Sequence, residues 1–348
     1  MAARIVLLVF GWLALAVFAP HVLDRGFLEI WNQWDGPHFL EIAAGGYGPP
    51  TDPARIVLFP LYPATIAAGS LIAPPLVAAM AIALVSTIAA ASGLYRLVRL
   101  DGPPQLARST VVAMLVFPTA YAFVAPYSEA LFLALAVWSF VALRDDNPRL
   151  AGTLGALAAL TRIQGAFLLP ALAVEYFVVR RRIGRDFGWI LFVGVGFAAY
   201  LALNLVTFGD ALHFVEVQEA TFRVHNTLPW LVLPGLVRGA LAGPPSESWL
   251  TTLVAPLVAL GIVLATTVWT IVSRHARPGY AVYTAISLIA FASLSFPISV
   301  PRYVLGVFPI FIALGSWSRS TVGQALLLAS TLLLAALTTL FVMGHWAF

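Results

Sequence analysis

Apolar residues run almost without interruption through this 348-residue chain, which restricts it to folds whose backbone can live inside a bilayer. Apolar segments stand at about 5–20, 57–72, 75–95, 109–125, 127–143, 150–163, 165–180, 187–207, 250–272, 279–296, 303–317 and 321–343. Charged residues are 10% of the chain, against roughly 25% in soluble domains, and the mean hydropathy is +0.94. Lipid offers backbone groups no hydrogen bonds, so the expected fold class is all-α: a polytopic membrane protein with about 10–12 transmembrane segments. Several segments fall short of the roughly 20 residues of a straight span, so half-helices or re-entrant pieces are expected among them. The run from Ile5 to Phe18 reads as a retained span, because Pro20 follows the only plausible small-residue cleavage site.

Every basic residue apart from histidine is an arginine; the sequence has no lysine. Arg4, Arg96/Arg99/Arg108, Arg144/Arg149, Arg180/Arg181/Arg182/Arg185, Arg274/Arg277 and Arg319 sit between apolar runs, as positive-inside loops do. The net charge of +4 is therefore a topology signal and implies no nucleic-acid partner. On that orientation residues 21–55, 208–249 and 297–302 face outward, with the turns near 126 and 163. One membrane domain, 1–348, then carries two substantial outer loops, 21–55 and 208–249. Residues 57–95 must cross an odd number of times yet look like two segments joined at Pro74-Pro75, so one of the two is expected not to span.

The first outer loop holds Asp24, Glu29, Asp35, Glu41 and Asp52, five of the fifteen acids. Its stretch Trp34-Asp35-Gly36-Pro37-His38-Phe39-Leu40-Glu41-Ile42 reads as a short helix. Asp35 suits its N-cap, Pro37 its first turn, and Gly45-Gly46 its end. Phe39, Ile42 and Ala43 would share a face suited to the membrane surface. Asp35 is then either that cap alone or a carboxylate held at the lipid boundary as a general base.

Ionisable groups within apolar segments are costly and mark function by default. Glu129, Arg162 and Arg302 are such groups, and with Asp35 and Asp210 they fall on the outer side. Glu175, five residues before the Arg180 cluster, is expected to snorkel to the inner interface. A carboxylate and arginines at one lipid–water boundary suit an anionic lipid headgroup, because guanidinium grips phosphate with a bidentate fork. Other chemistries lack their motifs. Without lysine there is no Walker loop, and His-Glu-x-x-His and Gly-x-Ser-x-Gly are absent. Without cysteine there are no disulfides or thiolate metal sites. No cofactor is required; the acids of the first loop are compatible with a divalent metal.

Taken together, the motifs resemble the PIG-V family, the GPI mannosyltransferase 2 group of membrane GT-C glycosyltransferases, and its bacterial relatives. The likeness rests on Trp34-Asp35-Gly36-Pro37-His38-Phe39 with Gly46-Tyr47, Phe59-Pro60-Leu61-Tyr62-Pro63, and Phe117-Pro118-Thr119 with Ala125-Pro126-Tyr127-Ser128-Glu129. It continues through Thr161-Arg162-x-x-Gly165, Phe208-Gly209-Asp210 with Phe214 and Gln218, and Pro301-Arg302-Tyr303 with Phe308-Pro309. The chain departs from the pattern at Ile163-Gln164 and at Thr221-Phe222-Arg223.

The resemblance implies a GT-C fold and an inverting hexosyltransferase of the multi-pass cell membrane, with its active site on the extracytoplasmic face. Its partners would be a polyprenyl-phosphate sugar donor, a glycolipid or glycan acceptor, and the bilayer; mannose is the implied sugar. Asp35 would be the general base, and Arg162 and Arg302 would neutralise the leaving phosphate. Trp34, His38, Tyr127, Glu129, Gln164, Asp210, Gln218 and Tyr303 would complete the substrate-binding set. The alternative class is a transporter or flippase of lipid-linked sugars, which also places charges in broken helices.

Overall fold

The computed structural model describes residues 2–347, and they form helices joined by short turns. In order these are α1 (Ala2–Phe18), α2 (Asp35–Gly45), α3 (Leu61–Gly69), α4 (Pro75–Arg99), α5 (Pro104–Leu115) and α6 (Glu129–Arg144). Then come α7 (Pro148–Ala159), α8 (Leu168–Arg180), α9 (Gly188–Leu191), α10 (Val193–Phe208), α11 (His213–Phe222) and α12 (Pro229–Ala242). The chain ends with α13 (Glu247–Trp249), α14 (Ala255–Val272), α15 (Pro278–Ala292), α16 (Val300–Tyr303), α17 (Pro309–Trp317) and α18 (Thr321–Val342). Among the described residues the only β pairing is an isolated bridge between Asn226 and Leu294. The expected all-α fold class stands.

Five helical stretches among the described residues are long and apolar enough to cross a bilayer: Pro75–Arg99, Ile163–Arg180, Arg185–Phe208, Leu250–Val272 and Thr321–Val342. A sixth candidate, Val300–Gly306 with Pro309–Trp317, bends by 86° at its break. The other apolar segments are shorter helices, so full-length spans are fewer than the apolar segments alone suggest. Between 57 and 95 only α4 can cross. The nine residues of α3 rise about 13 Å, less than half the hydrocarbon thickness.

Proline and glycine cause the interruptions, and the freed backbone is satisfied inside the protein. The linker from α5 to α6 is almost wholly buried. Arg4, itself buried, donates to the carbonyls of Ala120 (2.8 Å) and Leu115 (2.7 Å), and Thr119 donates to Pro301 O (2.9 Å).

Helix α6 runs through the centre, packed on α4 and α7 with most of its side chains buried. Phe140 meets Tyr280 and Phe308 at ring separations of 5.4 and 5.2 Å. Its ends carry the charges. Glu129 begins it and Arg144 ends it, about 22 Å apart along the axis.

Two local expectations are corrected. The apolar face of α2 does not lie on the membrane surface. Phe39 is buried against Tyr62 and Ile66 of α3 and Ala79 of α4, with Ala43 packed on the same cluster, and Ile42 is buried as well. Nor does Glu175 snorkel. It is fully buried and pairs with Arg277, with Arg144 at 3.9 Å; Asp101 in turn takes Arg144 at 2.7 Å and Arg277 at 3.7 Å. An arginine 102 residues downstream reaches the carboxylate, which therefore has a partner without leaving the interior. Removing a carboxylate from such a cluster leaves guanidinium charge without its counterion. Glu175→Ala is expected to cost about 3 kcal/mol, read as a lowered unfolding midpoint of the purified protein in detergent.

Candidate functional site

Four charges from four separate parts of the chain converge at the N-terminal end of α6. Asp35 lies in the first turn of α2, Glu129 opens α6, Arg162 stands in the extended turn between α7 and α8, and Arg302 in α16. Arg302 Nη1 is 2.6 Å from Asp35 Oδ2, and its Nε is 3.1 Å from Glu129 Oε1. Arg162 Nη1 donates to the same Glu129 oxygen at 2.6 Å and to Ser128 Oγ at 3.0 Å. The order is therefore Asp35–Arg302–Glu129–Arg162, alternating in sign. Asp35 is the most exposed of the four: its side chain is 27% exposed, those of Arg302, Glu129 and Arg162 6%, 3% and 13%.

Polar and aromatic neighbours fix the guanidinium planes. Arg162 Nε donates to Gln164 Oε1 (3.1 Å), whose amide donates to Tyr303 O (2.8 Å). Arg302 lies over the Tyr127 ring at 5.0 Å and near that of Tyr303 at 5.8 Å; Arg162 is 5.3 Å from Tyr303. These are cation–π contacts, strengthened by the dry surroundings. The Tyr127 hydroxyl donates to Gln33 O at 3.1 Å and so ties the first loop to the start of α6.

Two glycines let these backbones approach. A Cβ on Gly36 would stand 2.8 Å from both Asn32 Oδ1 and Pro126 Cγ, so the residue after Asp35 must be bare for α2 to reach the Pro126 turn. At Gly165 a Cβ would collide with the backbone of Ala158 and Ala159, where the turn after Arg162 folds back on α7.

Asp35 is not the helix cap. The cap position is Trp34, which makes no side-chain cap bond, and the Asp35 carboxylate turns to Arg302 instead. A nearby guanidinium is a stronger partner for a carboxylate than a peptide N–H. Trp34 itself has φ 54° and donates from Nε1 to His345 O at 3.3 Å; its ring meets Trp346 edge-on at 4.9 Å. This docking of the chain's end on the first loop was not foreseen, and residues 343–347 carry no motif that would have announced it. Ser128 was also missed as a ligand of Arg162, although the Tyr-Ser-Glu stretch contains it.

One turn along α2, His38 Nδ1 lies 3.8 Å from Glu41, which accepts from Arg55 Nε at 3.0 Å; Arg55 also meets Asp52 at 3.3 Å. Burial, and then the Arg55 charge, hold the His38 imidazole below its ordinary 6.5, so at neutral pH it is uncharged and can both donate and accept. Asp210 and Gln218 do not join the four-charge network. Asp210 Oδ1 accepts from Leu212 N at 3.0 Å, forming a turn beside Gly209. Gln218 lies on α11, whose Phe214 and Val217 pack with Ile56 and Phe59 after the first loop. Among the described residues no group of three or more His, Asp or Glu is placed to hold a metal ion.

No protein-family model and no curated protein sequence matches the chain, so the PIG-V resemblance rests on the motifs alone. A solved structure does match: ArnT from Cupriavidus metallidurans bound to undecaprenyl phosphate, with a TM-score of 0.57 and 16% identity. The match covers 96% of this chain and 63% of that one, so the chain spans under two thirds of the length of ArnT. At this identity the likeness is one of fold: the chain shares the helical architecture of ArnT.

The closeness at Gly165 yields a direct check. Gly165→Ala is expected to lower stability by about 2 kcal/mol through overpacking, seen as a lowered unfolding midpoint in detergent. Arg162 and Gln164 would be displaced with the turn.

Proposed function

We propose that this protein is an inverting glycosyltransferase of the cell membrane. It would move a sugar, mannose in the PIG-V-like reading, from a polyprenyl-phosphate donor to a hydroxyl of a lipid-linked or envelope glycan on the extracytoplasmic face. The observation that carries this reading is the ion contact between Asp35 and Arg302 at the exposed end of an otherwise buried network. One carboxylate reachable from outside stands beside buried positive charge, which is the pair of elements this chemistry needs. The ArnT-like fold supports it, since that protein was solved with a polyprenyl phosphate bound.

The chemistry follows from charge. An acceptor hydroxyl is too weak an acid to attack unaided, so Asp35 takes its proton as the new C–O bond forms at the anomeric carbon. The bond from that carbon to the phosphate oxygen breaks on the opposite face, and its electron pair leaves with the polyprenyl phosphate. The phosphate gains one negative charge in this step. Arg302 and Arg162, already oriented by Glu129, Gln164 and the two tyrosine rings, meet that charge without reorganising. His38, uncharged at neutral pH, can bind acceptor or donor hydroxyls one turn from Asp35. Trp34 stands in the first loop beside Asp35 and Tyr127 holds that loop through Gln33, while Asp210 and Gln218 would serve substrate only as the motif likeness implies.

Transfer of radiolabelled mannose from polyprenyl-phosphate-mannose to membrane glycolipid acceptors tests the proposal. Asp35→Asn is expected to lower the rate by about 100-fold or more, and Arg302→Lys by about 100-fold, because an ammonium lacks the fork that serves two partners at once. Equal transfer by wild type and Asp35→Asn would remove Asp35 as the base. No transfer by the wild type with several donors and acceptors would turn the reading toward a transporter of lipid-linked sugars.

A further inference from the structure

The base and the phosphate-binding arginine of the proposed reaction are, in this structure, each other's partner. As it stands the network is neutral: two carboxylates, Asp35 and Glu129, against two guanidinium groups, Arg162 and Arg302. A neutral cluster offers an incoming anion little attraction. Nor is a carboxylate that holds a guanidinium a good proton acceptor, since taking the proton removes the charge that binds it. Both obstacles disappear together if Asp35 lets go of Arg302.

The two carboxylates on Arg302 are not equivalent. Glu129 is buried, shared with Arg162, and set at the start of the central helix. Asp35 is about a quarter exposed, makes the one ion contact to Arg302, and sits on the first turn of a short helix. Just before it, Trp34 holds a left-handed φ of 54°, a strained conformation for an aromatic residue. Of the two, Asp35 is the partner that can be exchanged.

We infer that the donor phosphate binds Arg302 in the place now taken by the Asp35 carboxylate, so that donor binding itself releases Asp35 to act as base. This rests on the glycosyltransferase reading of the site. With Asp35 detached, Arg302, Arg162 and Glu129 carry a net charge of +1, complementary to a phosphodiester and more so to the phosphate that leaves. Glu129 is the positioning residue of the exchange. It keeps both guanidinium groups in place while the outer partner changes. Before donor arrives, Asp35 stays ion-paired and does not draw protons from other hydroxyls.

The test is binding of polyprenyl phosphate to the purified full chain in detergent micelles, compared among wild type, Asp35→Asn and Asp35→Ala. Removing the competing carboxylate is expected to tighten binding by about three- to tenfold, while Asp35→Glu, which keeps the charge, gives no gain. Arg302→Gln is expected to lose most of the affinity. Equal or weaker binding by both uncharged variants, with unchanged unfolding midpoints, overturns the exchange. A second readout needs no variant. With aspartate labelled at its carboxyl carbon, the infrared difference spectrum of the wild type on adding polyprenyl phosphate should show a shifted carboxylate band; its absence at saturation also overturns the exchange. If the wild type does not bind polyprenyl phosphate at all, the donor class is wrong and the proposed function falls first.

Discussion

Charge removed from water must be paired, and in this chain that requirement organises the end of the molecule where the site lies. Glu129 is the hinge point of the requirement. Taking a carboxylate out of water costs several kcal/mol, and here two guanidinium groups offset that cost, one from the turn between α7 and α8 and one from α16. Each arginine needs the carboxylate as much as the carboxylate needs them. Three segments far apart in sequence are therefore held at ion-pair distance, and Asp35 adds the first loop as a fourth.

The same logic repeats at the other end of α6. Arg144, Asp101, Glu175 and Arg277 tie the α4–α5 turn, α6, α8 and the start of α15 together. Between the two clusters the core is aromatic and aliphatic, with Phe140, Tyr280, Tyr283 and Phe308 in ring contact. The two ends nevertheless differ. In the Glu175 cluster the most buried member is surrounded by arginines and the network closes on itself. In the Glu129 cluster the last carboxylate, Asp35, holds a single arginine and the network is an open chain, whereas Asp101, about as exposed, is held by two.

How much of this could be read from sequence follows from the reach of each rule. Asp35, Glu129, Arg162 and Arg302 were legible because a charge in an apolar segment is expensive wherever it folds, so its presence needs a reason. That they meet was legible only as a shared side of the membrane; the alternation Asp35–Arg302–Glu129–Arg162 needs coordinates. Glu175 was misread because snorkelling is a local rule, whereas its partner Arg277 lies far along the chain. The face of α2 was identified correctly as apolar, but an apolar face does not state what covers it. Here it was α3, a helix too short to span. Asp210 and Gln218 entered through motif likeness alone, and the structure gives Asp210 a turn and sets Gln218 on a helix whose neighbouring Phe214 and Val217 do the packing.

The motifs themselves become intelligible once the ion network is the starting point. Three of the four ionic residues of the site travel with a residue that helps to place them. Asp35 is followed by Gly36, whose missing side chain admits the ring of Pro126. Arg162 is followed three residues on by Gly165, which lets its turn lie against the end of α7. Arg302 is preceded by Pro301, whose carbonyl accepts from Thr119 in the buried stretch leading to Glu129. Ion pairs of 2.6–3.1 Å fix where the charged tips must stand, and at Gly36 and Gly165 the chain meets that demand with a backbone approach that a Cβ would block. The Asp-Gly, Thr-Arg-x-x-Gly and Pro-Arg patterns are then single solutions to two demands at once, a charge to make the contact and a small or rigid neighbour to let the chain reach it.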